Sequence, residues 1–202
     1  MPSMPRDAIR TQVDGLPLST ERAEAHLVDR TANGELQAFE QLYRTYHPRL
    51  TRFLDRVTRR PGLVEELLND TMLVVWNRAG TYNGRSKVST WIFAIAYRKA
   101  MKALSRLDEP VQDEDNDDRP APLETGPEYH AAQSQLRTAL VRALDHLSFE
   151  QRAVMHLTYF HGIGCREISD IVGCPVDTVK TRMFHARRRM KALLSGELED
   201  WL

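Results

Sequence analysis

Apolar positions recur at steps of three and four along most of the chain. Over residues 35–46, Leu36, Phe39, Leu42, Tyr43 and Tyr46 share one helical face, and beyond Pro48 the set Leu50, Phe53, Leu54 and Val57 repeats it. The spacing predicts two amphipathic helices, one on either side of Pro48. An earlier helix is expected over residues 20–31, with Ser19 as its N-cap and Asn33-Gly34 as the break after it. Pro61-Gly62 interrupts, and residues 63–77 resume the pattern with Leu67, Leu68, Met72, Val75 and Trp76. A polar loop rich in turn formers, 80–87, leads into a helix over 89–106. A second run predicts helices over 131–147, from the Ser148-Phe-Glu-Gln151 capping box to about Phe160, over 166–172 and over 176–194. No period-two strand is evident, so the fold class is all-α.

Between the two runs lies DEPVQDEDNDDRPAPLETGPE, residues 108–128, with four prolines, one glycine and hardly an apolar side chain. It cannot bury enough surface to offset the entropy of ordering it, and it reads as a linker. The expected organisation is a flexible extension (1–18), a helical domain (19–107), an acidic linker (108–130) and a second helical domain (131–202).

Charge sharpens this division. The 202 residues carry 28 basic and 28 acidic side chains, but residues 1–107 hold 17 basic and 11 acidic, 108–135 hold 1 and 9, and 136–202 hold 10 and 8. Two basic blocks flank an acidic one, which suggests a polyanionic partner. The only two cysteines, Cys165 and Cys174, make no disulfide framework. The opening Met1-Pro-Ser-Met-Pro-Arg has no apolar stretch of the kind a secretory signal needs, and no run approaches eighteen apolar residues. A soluble, cytoplasmic protein without membrane insertion is expected.

The segment 165–194 has the form helix, tight turn with glycine, helix. Ile168, Ile171, Val172, Val176, Val179 and Met183 supply an apolar seam for a helix-turn-helix, and Pro175 stands where a helix start tolerates a missing N–H. The outward face of the second helix carries Asp177, Thr178, Lys180, Thr181, Phe184, His185 and Arg188. Short hydroxyl and cationic side chains suit base edges in a major groove, while Arg166, Arg182, Arg187 and Arg189 suit phosphates. The plainer reading is a basic solvated helix. In the first domain, Glu65, Glu66, Asn69 and Asp70 form an acidic ridge opposite Leu67, Leu68 and Val75, a pattern usually explained by solvation alone. His156, His161, Cys165 and Cys174 lie close in sequence but fit no standard zinc spacing. No glycine-rich phosphate loop or carboxylate pair in a pocket motif supports catalysis, so neither metal nor cofactor is expected and the chain reads as a binding protein.

Residues 147–194, above all Arg166-Glu167-Ile168 and Gly173-Cys174-Pro175-Val176-Asp177-Thr178-Val179-Lys180-Thr181-Arg182, resemble region four of the extracytoplasmic-function (ECF) bacterial sigma factors. Phe39-Glu40-Gln41-Leu42-Tyr43, Glu66-Leu67-Leu68-Asn69-Asp70-Thr71 with Val75-Trp76, and Ser89-Thr90-Trp91-Ile92-Phe93-Ala94-Ile95-Ala96 are similar to region two of that family, in the family's order. The resemblance implies a transcription initiation factor that binds core RNA polymerase and promoter DNA, helps melt the duplex, and has an anti-sigma factor or other regulator as a further partner. It implies polymerase docking by Glu65, Glu66, Asn69 and Asp70, and binding and melting of the downstream promoter element by Asn83, Arg85, Ser86, Lys87, Arg98, Lys99 and Lys102. Upstream-element binding falls to Arg166, Asp177, Thr178, Lys180, Thr181, Phe184, His185, Arg187 and Arg188. Trp91, at helical spacing with Ile92 and Ile95, reads as core rather than as a base-stacking ring. Where the family commonly has Asn and, four residues later, Asp, this chain has Arg98 and Lys102. Ser169 replaces a usual Ala, a small-for-small change expected to matter little. The competing readings are an operator-binding helix-turn-helix regulator and a sigma mimic that only sequesters an anti-sigma factor.

Overall fold

The structure is a computed structural model that describes residues 18–107, 140 and 142–199. The expected N-terminal extension, the acidic linker and the greater part of the helix expected over 131–147 lie outside the described residues. In order the helices are α1 (Leu18–Ala32), α2 (Leu36–Thr58), α3 (Pro61–Arg78), a 3-10 turn (Ala79–Thr81), α4 (Val88–Leu107), α5 (Phe149–Tyr159), α6 (Cys165–Val172) and α7 (Val176–Glu199). Residues 142–145 are also helical. Among the described residues there is no strand, and the all-α class stands.

The helix break expected at Pro48 does not occur, because α2 runs through it. Leu42, Tyr46, Leu50, Phe53, Leu54 and Val57 form one uninterrupted buried stripe on either side of the proline. A proline inside a helix costs about 3 kcal/mol, whereas each large side chain buried on the stripe contributes roughly 1.5–3 kcal/mol. Pro48 itself is exposed, so water can reach the carbonyl it leaves unpaired. Helix α1 begins one residue before the expected Ser19 cap and ends at Asn33-Gly34, where Gly34 takes φ +85 and the Arg30 guanidinium holds the Glu35 carboxylate at 2.7 and 2.9 Å. Glu24 of α1 is buried and accepts a 2.6 Å hydrogen bond from the Tyr46 hydroxyl, fastening α1 to α2.

In the second half the capping box is complete. The Gln151 N–H donates to Ser148 Oγ and the Ser148 N–H to Gln151 Oε1, each at 3.3 Å. Helices α6 and α7 cross over a seam of Ile168, Ile171, Val179 and Met183, all buried. Gly173 makes the turn with φ +70 and donates to the Ser169 carbonyl at 2.9 Å. Ser169 is not the inert exchange expected of it. Its Oγ donates to the Cys174 carbonyl at 2.6 Å, satisfying a carbonyl that an alanine would leave to solvent.

The two halves share one core. Helix α4 packs on α6 and α2 packs on α5, and a single apolar cluster runs from Val28 of α1 to Met183 of α7. At its centre the Phe53 and Phe93 rings meet edge to face at 5.3 Å, and His161 lies 4.7 Å from Phe93 and 6.2 Å from Phe53. Arg49 lies over Phe93 at 5.4 Å, and Tyr97 of α4 stacks on Phe149 at 5.3 Å. His156 is buried beside them, and its Nδ1 and the Nε2 of His161 have no hydrogen-bond partner. Burial, with His161 and Arg56 nearby, pushes His156 down to about 3. Burial, with Arg49 and Arg52 nearby, pushes His161 down to about 4.

Both histidines are neutral in the folded chain and protonate near 6.5 once unfolded. As the pH falls, the unfolded state takes up protons first, so stability is complete above about pH 6.5 and declines towards pH 3–4. Urea unfolding should give a lower free energy at about pH 5 than at about pH 7.5, and a double His156→Gln, His161→Gln variant should lose most of that slope. An unchanged slope in the variant would mean that these rings are not buried neutral. At the helix-turn-helix turn, Ser169→Ala should lower stability by about 0.5–1.5 kcal/mol, read from the same unfolding curves.

Candidate functional site

The two helices of the motif set the geometry of the first basic surface. Because Val179, Met183 and Ala186 are buried, the opposite side of α7 faces water, and Asp177, Lys180, Thr181, Phe184, His185, Arg187 and Arg188 are all exposed there. Phe184 is 61% exposed, a large aromatic in the middle of a polar face, with the His185 ring 5.5 Å away. The Asp177 carboxylate accepts from Lys180 Nζ at 3.2 Å and the Asp177 carbonyl from the Thr181 hydroxyl at 2.8 Å. Arg166 is exposed on α6.

Three residues assigned to this face or its flanks stand differently. Thr178 is half-buried on the side of the seam. Arg182, read as a phosphate contact, turns inward: it lies 3.7 Å from Cys174 Sγ and faces Tyr97 of the first half. Arg187 is exposed but held, with Nε donating to the Tyr159 hydroxyl at 2.8 Å and the guanidinium 5.7 Å above that ring.

The second basic surface belongs to the loop before α4 and to α4 itself. Asn83 and Arg85 are exposed; the Asn83 side-chain oxygen accepts from the Arg85 N–H at 3.1 Å, closing a turn in which Gly84 has φ +70. The Tyr82 hydroxyl donates to the Ser86 carbonyl at 2.6 Å and its ring packs 5.4 Å from Trp91. Trp91 is half-buried, packed against the loop on one side and against the apolar core on the other, in keeping with its reading as a core residue. Arg98 and Lys102 stand one turn apart on the exposed side of α4. Partial burial, with Arg78 nearby, lowers the Arg98 guanidinium from its ordinary value. Lys99 points elsewhere: its Nζ donates to Asp70 at 2.8 Å. Lys87 is shared between Glu21 at 3.1 Å and Glu167 at 3.2 Å, which hold its ammonium above the ordinary value.

The acidic ridge lies on α3. Glu65, Glu66 and Asn69 are exposed, and Asn69 accepts from the Tyr43 hydroxyl at 3.1 Å. Asp70 is half-buried in its pair with Lys99, so it is the least available of the four.

Glu21 and Tyr159 engage these side chains without having been singled out in the sequence, and Glu167 was quoted there as part of a motif with no role of its own. Glu167 alone carried a signal, standing three residues after Gly164 at the N-terminal turn of α6, where its Oε2 accepts from the Gly164 N–H at 3.4 Å. The four potential zinc ligands do not converge. His156 and His161 lie among Phe53, Phe93 and Phe160, Cys165 Sγ contacts Met183 Sδ at 3.8 Å, and Cys174 lies against Arg182.

The chain matches the Sigma-70 region 2 family over residues 42–109 and the Sigma-70, region 4 family over residues 137–190. It is 30% identical over 176 residues to the ECF RNA polymerase sigma factor SigM of Mycobacterium tuberculosis, covering 86% of both chains. It is 28% identical over 165 residues to the ECF RNA polymerase sigma factor RpoE of Cereibacter sphaeroides, covering 78% of this chain and 87% of that one. In fold it is similar to the sigma factor RpoE of Bartonella quintana, solved with the anti-sigma factor NepR, at TM-score 0.64 and 22% identity over 79% of this chain and 98% of that one. Two regions matched in the order their motifs predict, with SigM aligned across most of both chains, make this protein a member of the ECF family of RNA polymerase sigma factors and hence a transcription initiation factor.

Proposed function

We propose that this sigma factor docks on core RNA polymerase through the α3 ridge, reads an upstream promoter element with α7 and grips the melted downstream element with the loop 82–87 and α4. The observation that carries the reading is the solvent-facing row Lys180, Thr181, Phe184, His185 and Arg188, set on a helix whose other side is locked into the helix-turn-helix seam. Hydroxyl, imidazole and cationic groups on one rigid face suit base edges, and Arg166 and the Tyr159-held Arg187 suit phosphates on the flanks. On α4, Arg98, Lys102 and the neighbouring Arg78 offer charge to a single strand, next to Asn83 and Arg85 of the loop. Positive charge at Arg98 and Lys102, in place of the neutral and acidic residues the family commonly carries, favours grip on the backbone over discrimination between bases.

The protein acts by binding rather than by covalent chemistry, and it works in the cytoplasm, where polymerase and chromosome are. No helix among the described residues is long and apolar enough to cross a membrane. An anti-sigma factor is the expected regulator, in keeping with the NepR partner of the Bartonella relative.

Thr181→Ala and Lys180→Ala should each cost roughly 1–3 kcal/mol on the cognate upstream element and relax preference at one or two base pairs. Arg187→Ala should weaken all sequences alike and lower the salt slope by about one. Binding to a promoter library at two salt concentrations separates these outcomes, and equal losses on every sequence for Thr181→Ala would remove α7 as the reader. Glu65→Lys with Glu66→Lys should abolish binding to core polymerase with helicity and Tm unchanged. Asp70 is left intact because reversing it would also break its pair with Lys99.

A further inference from the structure

Helix α2 carries a row of arginines that has no part in the DNA and polymerase contacts assigned above. Arg49, Arg52, Arg56 and Arg59 follow one another at steps of three, four and three, so they share one edge of the helix, beside the buried Tyr46 and Phe53. The last of them is neutralised: its Nη1 donates to the Asp145 carbonyl at 3.0 Å and its Nε lies 3.4 Å from the Asp145 carboxylate. The other three are not. Among the described residues no salt bridge joins Arg49, Arg52 or Arg56 to a carboxylate, Asp55 within the row included. Arg49 lies 5.0 Å from the Tyr46 ring and 5.4 Å from the Phe93 ring, contacts that leave its charge uncompensated, while Arg52 is exposed and Arg56 half-buried. Like charges three and four residues apart destabilise a helix, so this row costs α2 stability unless an anion sits against it.

The row meets two imidazoles that also lack partners. His161, in the turn between α5 and α6, lies 4.7 Å from the Phe93 ring, and Arg49 and Arg52 are near enough to add to the effect of its burial. His156 of α5 lies 5.2 Å from His161, with Arg56 beside it. His156 is only 6% exposed, yet its Nδ1 has no hydrogen-bond partner, and neither has the Nε2 of His161. Buried polar groups are paired as a rule, so two such nitrogens among three uncompensated guanidiniums call for an acceptor. The carboxylates nearby do not supply one, since Glu24 accepts from the Tyr46 hydroxyl at 2.6 Å and Asp145 is held by Arg59. A carboxylate ligand has two oxygens and fills one guanidinium fork, whereas the three or four oxygens of a phosphate group accept from two guanidiniums and an imidazole N–H together. We propose that Arg49, Arg52 and Arg56 of α2, with His156 and His161, form a binding site for a phosphate group, Arg52 at its mouth and the imidazoles at its floor. Phe53 and Phe93 wall the floor with apolar surface, which strengthens the charge-assisted contacts there. A free nucleotide and a nucleic-acid backbone present the same phosphate oxygens to this site.

The test uses the full chain near neutral pH. Inorganic phosphate, a nucleoside triphosphate and a short single-stranded oligonucleotide are titrated in turn at constant ionic strength, so that screening alone produces no trend. The readout is the pair of ring resonances of His156 and His161, assigned by NMR from the spectra of His156→Gln and His161→Gln, with calorimetry for the affinity. These resonances report this site rather than the basic surfaces of α4 and α7. Inorganic phosphate should move both saturably and sodium chloride should not. Arg52→Gln, a change at an exposed position, should keep the helicity and weaken the binding seen at these rings about tenfold, the loss of one charge-assisted contact. Tighter binding of the triphosphate than of the oligonucleotide identifies a free nucleotide as the source of the phosphate, and the reverse order identifies a strand. Ring resonances that none of the three probes moves saturably, or an Arg52→Gln chain that binds as tightly as the wild type, would overturn the site.

Discussion

The stripe of α2 from Leu42 to Val57 is the constraint on which the rest of the molecule depends. Its residues are wholly buried, and no single neighbour could cover them all. Helices α1 and α3 pack along it, α4 lies against it, and α5 of the second half also covers it, around Phe53. Continuity through Pro48 is what lets one helix serve both halves. Had the chain broken there, Phe53, Leu54 and Val57 would have needed a separate scaffold, and the second half would have lost its seat. Burial of the whole stripe outweighs the lost hydrogen bond several times over.

Seated this way, the fold sorts its cations into those that are engaged and those that are available. Lys99 is taken by Asp70, Lys87 by Glu21 and Glu167, Arg59 by Asp145, and Arg182 is folded towards Tyr97 and Cys174. Arg85, Arg98, Lys102, Arg166 and Arg188 remain on the surface, with Arg187 oriented by Tyr159. Net charge is uninformative here, since 28 positive and 28 negative side chains cancel. What determines the affinity for a polyanion is which positive groups have no carboxylate beside them.

Much of this was legible in the sequence because it depends on local periodicity. The helix-turn-helix follows from the spacing of Ile168, Ile171, Val179 and Met183 around one glycine, and the Ser148 capping box from four consecutive residues. The exposed row on α7 follows once the seam is known. Tertiary facts were not legible. The unbroken α2 depends on how much surface its neighbours bury, which no window of sequence reports. The shared core joins residues about a hundred positions apart, such as Phe53 and His161, across a segment whose composition suggests separation. The inward turn of Arg182 and the capture of Arg187 by Tyr159 are decided by side chains from other helices. Ser169 looked like a neutral exchange because its partner, the Cys174 carbonyl, is a backbone group exposed only by the turn itself.

Membership in the ECF family assigns the chain to transcription initiation, and the proposal assigns the DNA contacts of that role to the two basic surfaces. The most direct measurement is run-off transcription in vitro with core RNA polymerase over a library of genomic fragments, with and without the purified full chain. The account predicts discrete transcripts that appear only when the chain is added and whose upstream sequences share two spaced elements. Strong binding of the chain to polymerase or to DNA with no new transcript from any fragment would contradict it.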